Sequence, residues 1–207
     1  MLCVLVLMSG FVWTKVFDSL EDIETATRCN QPSSPTTPPQ ASGQEPVKLG
    51  RMLPRNGLDQ ASPIPPQDIP VRVLNGNGES NQASLVSEQL TNLGFAEGGK
   101  PADDPVYTNY DLNCHGQIRF GNAGEGAART MSLIAPCAQL VRDGRPDAGV
   151  DFVLGAEFDD IKTTPEAKRI LQELKNWAPQ RDDSSPQDVS PPRFEGELLA
   201  QARDVHC

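Results

Sequence analysis

Histidine is almost missing from this chain: of 207 residues only two, at positions 115 and 206, are His. No Cys-x-x-Cys pair occurs among the five cysteines. A tetrahedral zinc site and a thioredoxin-like redox pair therefore lack their ligands, and no cofactor is expected. Basic residues are short too, 18 Lys and Arg against 28 Asp and Glu, for a formal net charge of -10. That balance excludes a nucleic-acid backbone as partner, which needs clustered Lys and Arg. It also disfavours adsorption to an anionic membrane face, and is mostly a statement about solubility. Paired carboxylates in a motif and a Ser-His-Asp arrangement are missing as well, so the composition points away from an enzyme.

A full-length hydrophobic span is lacking. The opening Met1 to Trp13, MLCVLVLMSGFVW, carries no charge, but thirteen helical residues reach only ~20 Å against a hydrocarbon core of ~30 Å. Extending to Phe17 adds Lys15, which can snorkel. A signal peptide would need a basic start and small residues at a cleavage site. Neither is there, and Arg28 in Ala26-Thr27-Arg28-Cys29 also spoils Cys29 as a lipidation site. Residues 1–17 read as a transmembrane anchor truncated at its N-terminus, with a buried globular helix as the alternative. Residues 18–69 read as a Pro-rich extracytoplasmic linker, since ten of the 19 prolines fall between Cys29 and Pro70. Such a stretch stays solvated and holds the folded part of the chain tens of ångströms from the bilayer. Val47-Lys48-Leu49 and Met52-Leu53 are assigned no element.

What is present begins at Val71-Arg72-Val73-Leu74, a β-branched stretch suited to a buried strand, stopped by Asn75-Gly76-Asn77-Gly78. Ala83, Val86, Leu90 and Leu93 then recur at helical spacing, and Gly94 stands where a left-handed C-cap is wanted. Phe95 opens a short strand or loop, and Lys100 to Pro105 is a turn. Gly116 to Gly121 alternates as a strand; Asn122 to Gly126 turns into a helix carrying Ala127, Met131, Ile134 and Leu140, kinked or ended by Pro136. Gly149 to Gly155 is a third strand. Thr164-Pro165 starts a helix with Ile170, Leu171, Leu174 and Trp177 on its apolar face. Alternating strands and helices over residues 70–178 predict a small α/β domain with a mixed or parallel sheet and packed helices. Residues 179–207 form a Pro-rich tail with a short helix within Phe194 to Val205.

Leaving Cys3 in the apolar segment, Cys29, Cys114, Cys137 and Cys207 allow three pairings. In a β-α unit the helix runs back along its strand, so Cys114 and Cys137 should meet at one edge. Such a bond is worth ~3 kcal/mol in the chain-entropy model. Cys29 and Cys207 then pair by elimination, in an oxidising, exported location. Cys114-His115 as a nucleophile or metal pair is the weaker reading. A ligand site is expected beyond the carboxyl ends of the strands, at the rim of two turns: Asn75, Gly76, Asn77 and Gly78 in one, Gly121 and Asn122 in the other. Their amides suit sugar hydroxyls, although turns need these residues anyway.

VRVLNGNG followed by QASLVSEQLTNLGF resembles the opening of the LytR C-terminal (LytR_C) domain family, and Val153-Leu154-Gly155 before Phe158 resembles its closing strand. The similarity covers about residues 70 to 175. The cysteine context, NCHGQIRFG, APC and a terminal Cys, is similar to actinobacterial envelope-integrity members of that family. The resemblance implies a membrane-anchored, extracytoplasmic, non-enzymatic protein that supports cell-envelope integrity by binding or scaffolding cell-wall glycan or envelope proteins. The alternatives are an exported thiol–disulfide oxidoreductase or wall-modifying enzyme, and a structural protein of a membrane complex.

Overall fold

The computed structural model describes residues 26–33, 48–177 and 191–207. The expected anchor, residues 1–17, lies outside the described residues, as do residues 18–25 and 34–47 of the expected spacer, residue 178 and residues 179–190 of the tail. Among the described residues no helix is long and apolar enough to cross a membrane.

A seven-stranded mixed sheet carries the domain. Its strands are β1 (Arg51–Leu53), β2 (Pro70–Asn75), β3 (Ala96–Glu97), β4 (Ala102–Asp103), β5 (Gly116–Phe120), β6 (Gln139–Arg142) and β7 (Val150–Leu154). They lie in the order β1-β6-β5-β7-β2-β3, with β4 also pairing β2. β2 runs parallel to β7, β3 and β4, and β5 parallel to β6; β5 is antiparallel to β7, and β1 to β6. The helices are α1 (Gln82–Asn92), α2 (Glu125–Ile134), α3 (Pro165–Trp177) and α4 (Gly196–Gln201).

Strand alternation gives the sheet two unlike faces. Val71, Val73, Ile118, Phe120, Phe152 and Leu154 point one way and pack with Val86 and Leu90 of α1, Met131 and Ile134 of α2, and Leu171 of α3. Each such side chain, fully buried, contributes ~1.5–3 kcal/mol. Leu74 and Val153 point the other way, where the loop carrying Val106, Tyr107, Leu112 and Cys114, together with Cys29, covers them. A third cluster joins Leu133 of α2 to Ala167, Ile170 and Leu174 of α3 and to Leu199 and Ala202 at the C-terminal helix.

Local signals explain the helix ends. α1 stops at Gly94, whose φ is +92°, with Phe95 N donating to Leu90 O at 3.0 Å. α3 starts on Thr164, whose Oγ1 accepts from Ala167 N at 3.1 Å, with Pro165 in the first turn.

Four expectations need correction. Residues 48–69 are not a solvated spacer: they supply β1 and bury Leu58 and Ile69. Three residues carry no readable alternation, and β1 exists through its pairing with β6. Leu140 belongs to β6 rather than to the second helix, which ends at Ile134. A four-residue strand is too short for its period to separate from the helix before it. The expected turn from Lys100 to Pro105 contains β4. Trp177 is only half-buried, while Ile170, Leu171 and Leu174 are buried.

Candidate functional site

The two glycine turns do not share a rim. Asn75, ending β2, pairs with Leu154 at the end of β7. Phe120, ending β5, pairs with Val150 at the start of β7. Because β5 runs against β7, the turns sit at opposite edges of the sheet, about 13 Å of strand apart. A single site at the carboxyl ends assumed one strand direction, and the antiparallel β5–β7 pair breaks that assumption.

At the Asn75 turn the amides are already used. Asn75 Oδ1 accepts from Asn77 N at 3.2 Å and Gly78 N at 2.8 Å. Asn77 Nδ2 donates to Gly155 O at 2.8 Å and to Gln82 Oε1 at 3.0 Å, and its Oδ1 accepts from Glu79 N at 3.0 Å. Gly76 is pinned in the ladder, N donating to Leu154 O at 3.0 Å and O accepting from Leu112 N at 3.1 Å. These bonds build the turn. What faces solvent there is Tyr110, 43% exposed. Its φ of +56° is an outlier for an aromatic residue. Gly78, at φ +81°, lies so close that an added Cβ would stand 3.3 Å from Tyr110 Cβ and Cγ. Tyr110 carries no signal in the sequence, where it stands three residues after Tyr107 in the same loop.

At the other edge, a Cβ on Gly121 would stand 2.1 Å from Arg145 O, so glycine is required by backbone approach. Asn122 is exposed and opens a one-turn 3-10 helix, Asn122–Gly124, that leads into α2.

The non-helical sheet face holds a charge network. Arg119 donates to Asp104 Oδ1 at 2.6 Å and Oδ2 at 3.0 Å, and to Gln117 Oε1 at 2.9 Å. Asp104 Oδ2 also accepts from Tyr107 N at 2.8 Å, so this buried pair fastens the covering loop to β5. Burial pushes the Tyr107 hydroxyl up, and that hydroxyl donates to Asn30 O at 2.5 Å. Farther along, Asp151 is held by Arg72 at 2.9 Å and Arg145 at 2.7 Å, and Arg145 also pairs with Asp143 at 2.7 Å. Burial pushes the Asp151 carboxyl up, but the two guanidinium groups outweigh it and leave it below the ordinary range. Every carboxylate here is paired, which suits structure rather than proton transfer.

The cysteines pair differently from expectation: Cys29 with Cys114 and Cys137 with Cys207. Cys114 and Cys137 do approach one edge, since Gln117 and Gln139 are register partners. They lie on different faces, however. Cys114 sits under the covering loop with Cys29, whereas Cys137 follows α2, on the helical side. Edge geometry does not fix the face, and a disulfide needs Cα atoms within about 7 Å. The Cys114 thiol is thus consumed, 1% exposed beside His115. Among the described residues no group of three His, Cys, Asp or Glu could hold a metal ion.

Residues 68–158 match the LytR_C family, described as LytR cell envelope-related transcriptional attenuator. The cell envelope integrity protein Cei of Mycobacterium tuberculosis is 35% identical over 179 residues, covering 86% of this chain and 80% of that protein. The chain belongs to the LytR_C family. The LytR_C match runs from before β2 to just past β7, so it includes Cys114 and Cys137 but leaves Cys29 and Cys207 outside. The fold agrees: the crystal structure of the soluble domain of a conserved hypothetical secreted protein from Mycobacterium marinum aligns with a TM-score of 0.64 at 35% identity, covering 78% of this chain and 100% of that one.

Proposed function

We propose that this chain is a membrane-anchored, extracytoplasmic, non-enzymatic module that supports cell-envelope integrity by binding cell-wall glycan. Its LytR_C membership and its similarity to a cell envelope integrity protein support the envelope role. Two disulfides support an oxidising compartment, and they leave the oxidoreductase alternative without a free thiol at Cys29, Cys114, Cys137 or Cys207. The observation that carries the binding reading is Tyr110. Its exposed ring, held in an unfavourable backbone conformation against Gly78, offers a flat, electron-rich face of the kind on which sugar C–H groups stack. A second reading, a scaffold for an envelope protein, rests on Leu85, which projects from α1 at 62% exposure.

The test is co-sedimentation of the full chain with purified peptidoglycan. Tyr110→Ala is expected to weaken binding about tenfold at unchanged thermal midpoint, and Leu85→Ser to leave it unchanged. The reverse pattern, with crosslinking to one dominant envelope protein, sinks the glycan reading.

A further inference from the structure

Away from both turns, three arginines from three parts of the chain converge on one cleft: Arg55 after β1, Arg129 of α2 and Arg203 beyond α4. Arg129 is 3% exposed and Arg203 8%. Arginine is almost never this buried without a matching set of acceptors. Here the set is thin. Asp59 offers a single oxygen, Oδ1, to both Arg129 at 2.9 Å and Arg203 at 3.2 Å. Arg55 and Arg203 each donate a terminal amine to the other's backbone carbonyl. Among the described residues, the Nε atoms of all three arginines are sealed from solvent and have no hydrogen-bond partner. Glu197 and Asp204 also line the cleft, but Asp59 alone is ion-paired to these arginines among the described residues.

We propose that this cleft binds a phosphate group, held by the guanidinium forks of Arg55, Arg129 and Arg203. The open volume, about 860 Å³, admits a phosphate with the polymer or small molecule that carries it. A tetrahedral oxyanion supplies three or more acceptor oxygens, and each fork pairs two N–H donors with two of them. Asp59 gives one oxygen to two guanidinium groups, and such an anion accepts from the terminal N–H donors this leaves, while the sealed Nε atoms stay out of its reach. The electrostatics agree: burial, then the charges of Arg129 and Arg55, push the Arg203 guanidinium down to about 10. The cluster thus favours an added negative charge. A carboxylate partner is the poorer fit, because two oxygens satisfy only one fork. Cys207, four residues beyond Arg203, is bonded to Cys137 and tethers the segment that carries Arg203. The site shares no residue with the Tyr110 turn, so the two readings stand or fall separately.

The full chain is titrated calorimetrically with inorganic phosphate and, separately, with a glycerophosphodiester polymer, at fixed chloride. Saturable binding of either is expected. Binding of both assigns a backbone phosphodiester, and binding of inorganic phosphate alone assigns a free or terminal phosphate. Arg203→Lys keeps the charge but loses the fork, and Arg55→Gln loses a guanidinium; each is expected to weaken binding about tenfold. Circular dichroism confirms that both variants fold. Cys207→Ser, which frees the segment bearing Arg203, is expected to weaken binding similarly. No saturable binding of either probe, or affinities unchanged in the folded arginine variants, overturns the proposal.

Discussion

Asp151 and Asp104 show how a charged residue is tolerated inside this sheet. Both are buried, and both are held by arginine at hydrogen-bond distance. Arg119 on β5 donates to both oxygens of Asp104, so Arg119→Met leaves a sealed carboxylate with only the Tyr107 N–H to accept from. We expect a loss of about 3–4 kcal/mol in urea unfolding. Asp151 differs because Arg72 is partly exposed, its side chain 43% accessible, so solvent screens part of that pair. Asp151→Asn is expected to cost about 2 kcal/mol. The pH dependence comes from the direction of its shift. The folded carboxyl titrates below its ordinary value of 3.8, so its contribution is present above about pH 4 and is lost as pH falls through the lower, folded value. Acid unfolding of Asp151→Asn should therefore show a shallower loss of stability below pH 4 than the parent. An equally steep loss would remove Asp151 from the acid transition.

At the scale of elements, the legible ones are those whose signals are local. β2, α1, β5, β7 and α3 each carry their own periodicity plus a stop or a cap, and α3 rests on the Thr164 cap. Thr164→Ala should lower stability by about 1 kcal/mol, read as a drop of a few degrees in the thermal midpoint. Elements that exist through a neighbour left little trace, β3 only as the short strand or loop expected at Phe95. β1 is three residues paired to β6, and β3 and β4 are two residues each, lying against β2. The turns were legible as turns, yet their placement was not. Gly121 carries a glycine because Arg145 O passes 2.1 Å from where its Cβ would be. Gly121→Ala is expected to destabilise by more than about 2 kcal/mol, since backbone rather than a flexible side chain stands in the way.

For the whole molecule, the two disulfides tie flanking segments onto the sheet from opposite faces. Cys29–Cys114 spans 85 residues and Cys137–Cys207 spans 70. Each loop of that length is worth about 4–5 kcal/mol in the chain-entropy model. The double replacement Cys137→Ser with Cys207→Ser should cost that order in denaturant unfolding and release the C-terminal helix to protease. Peptide mapping without reduction is expected to recover the Cys29–Cys114 and Cys137–Cys207 peptides; a Cys114–Cys137 peptide would overturn the assignment.

The sequence by itself determined the α/β alternation, the end of α1 at Gly94 and the start of α3 at Thr164, the family resemblance and the cysteine content, because each rests on composition, short-range periodicity or contiguous motifs. Only the tertiary structure decided which face each cysteine occupies, that the two glycine turns stand at opposite edges, and that Tyr110 rests on Gly78. It alone brought Arg55, Arg129 and Arg203 together, 74 and 148 residues from the first of them. Strand direction and side-chain face are set by pairing between distant segments, and no local pattern of residues carries that information.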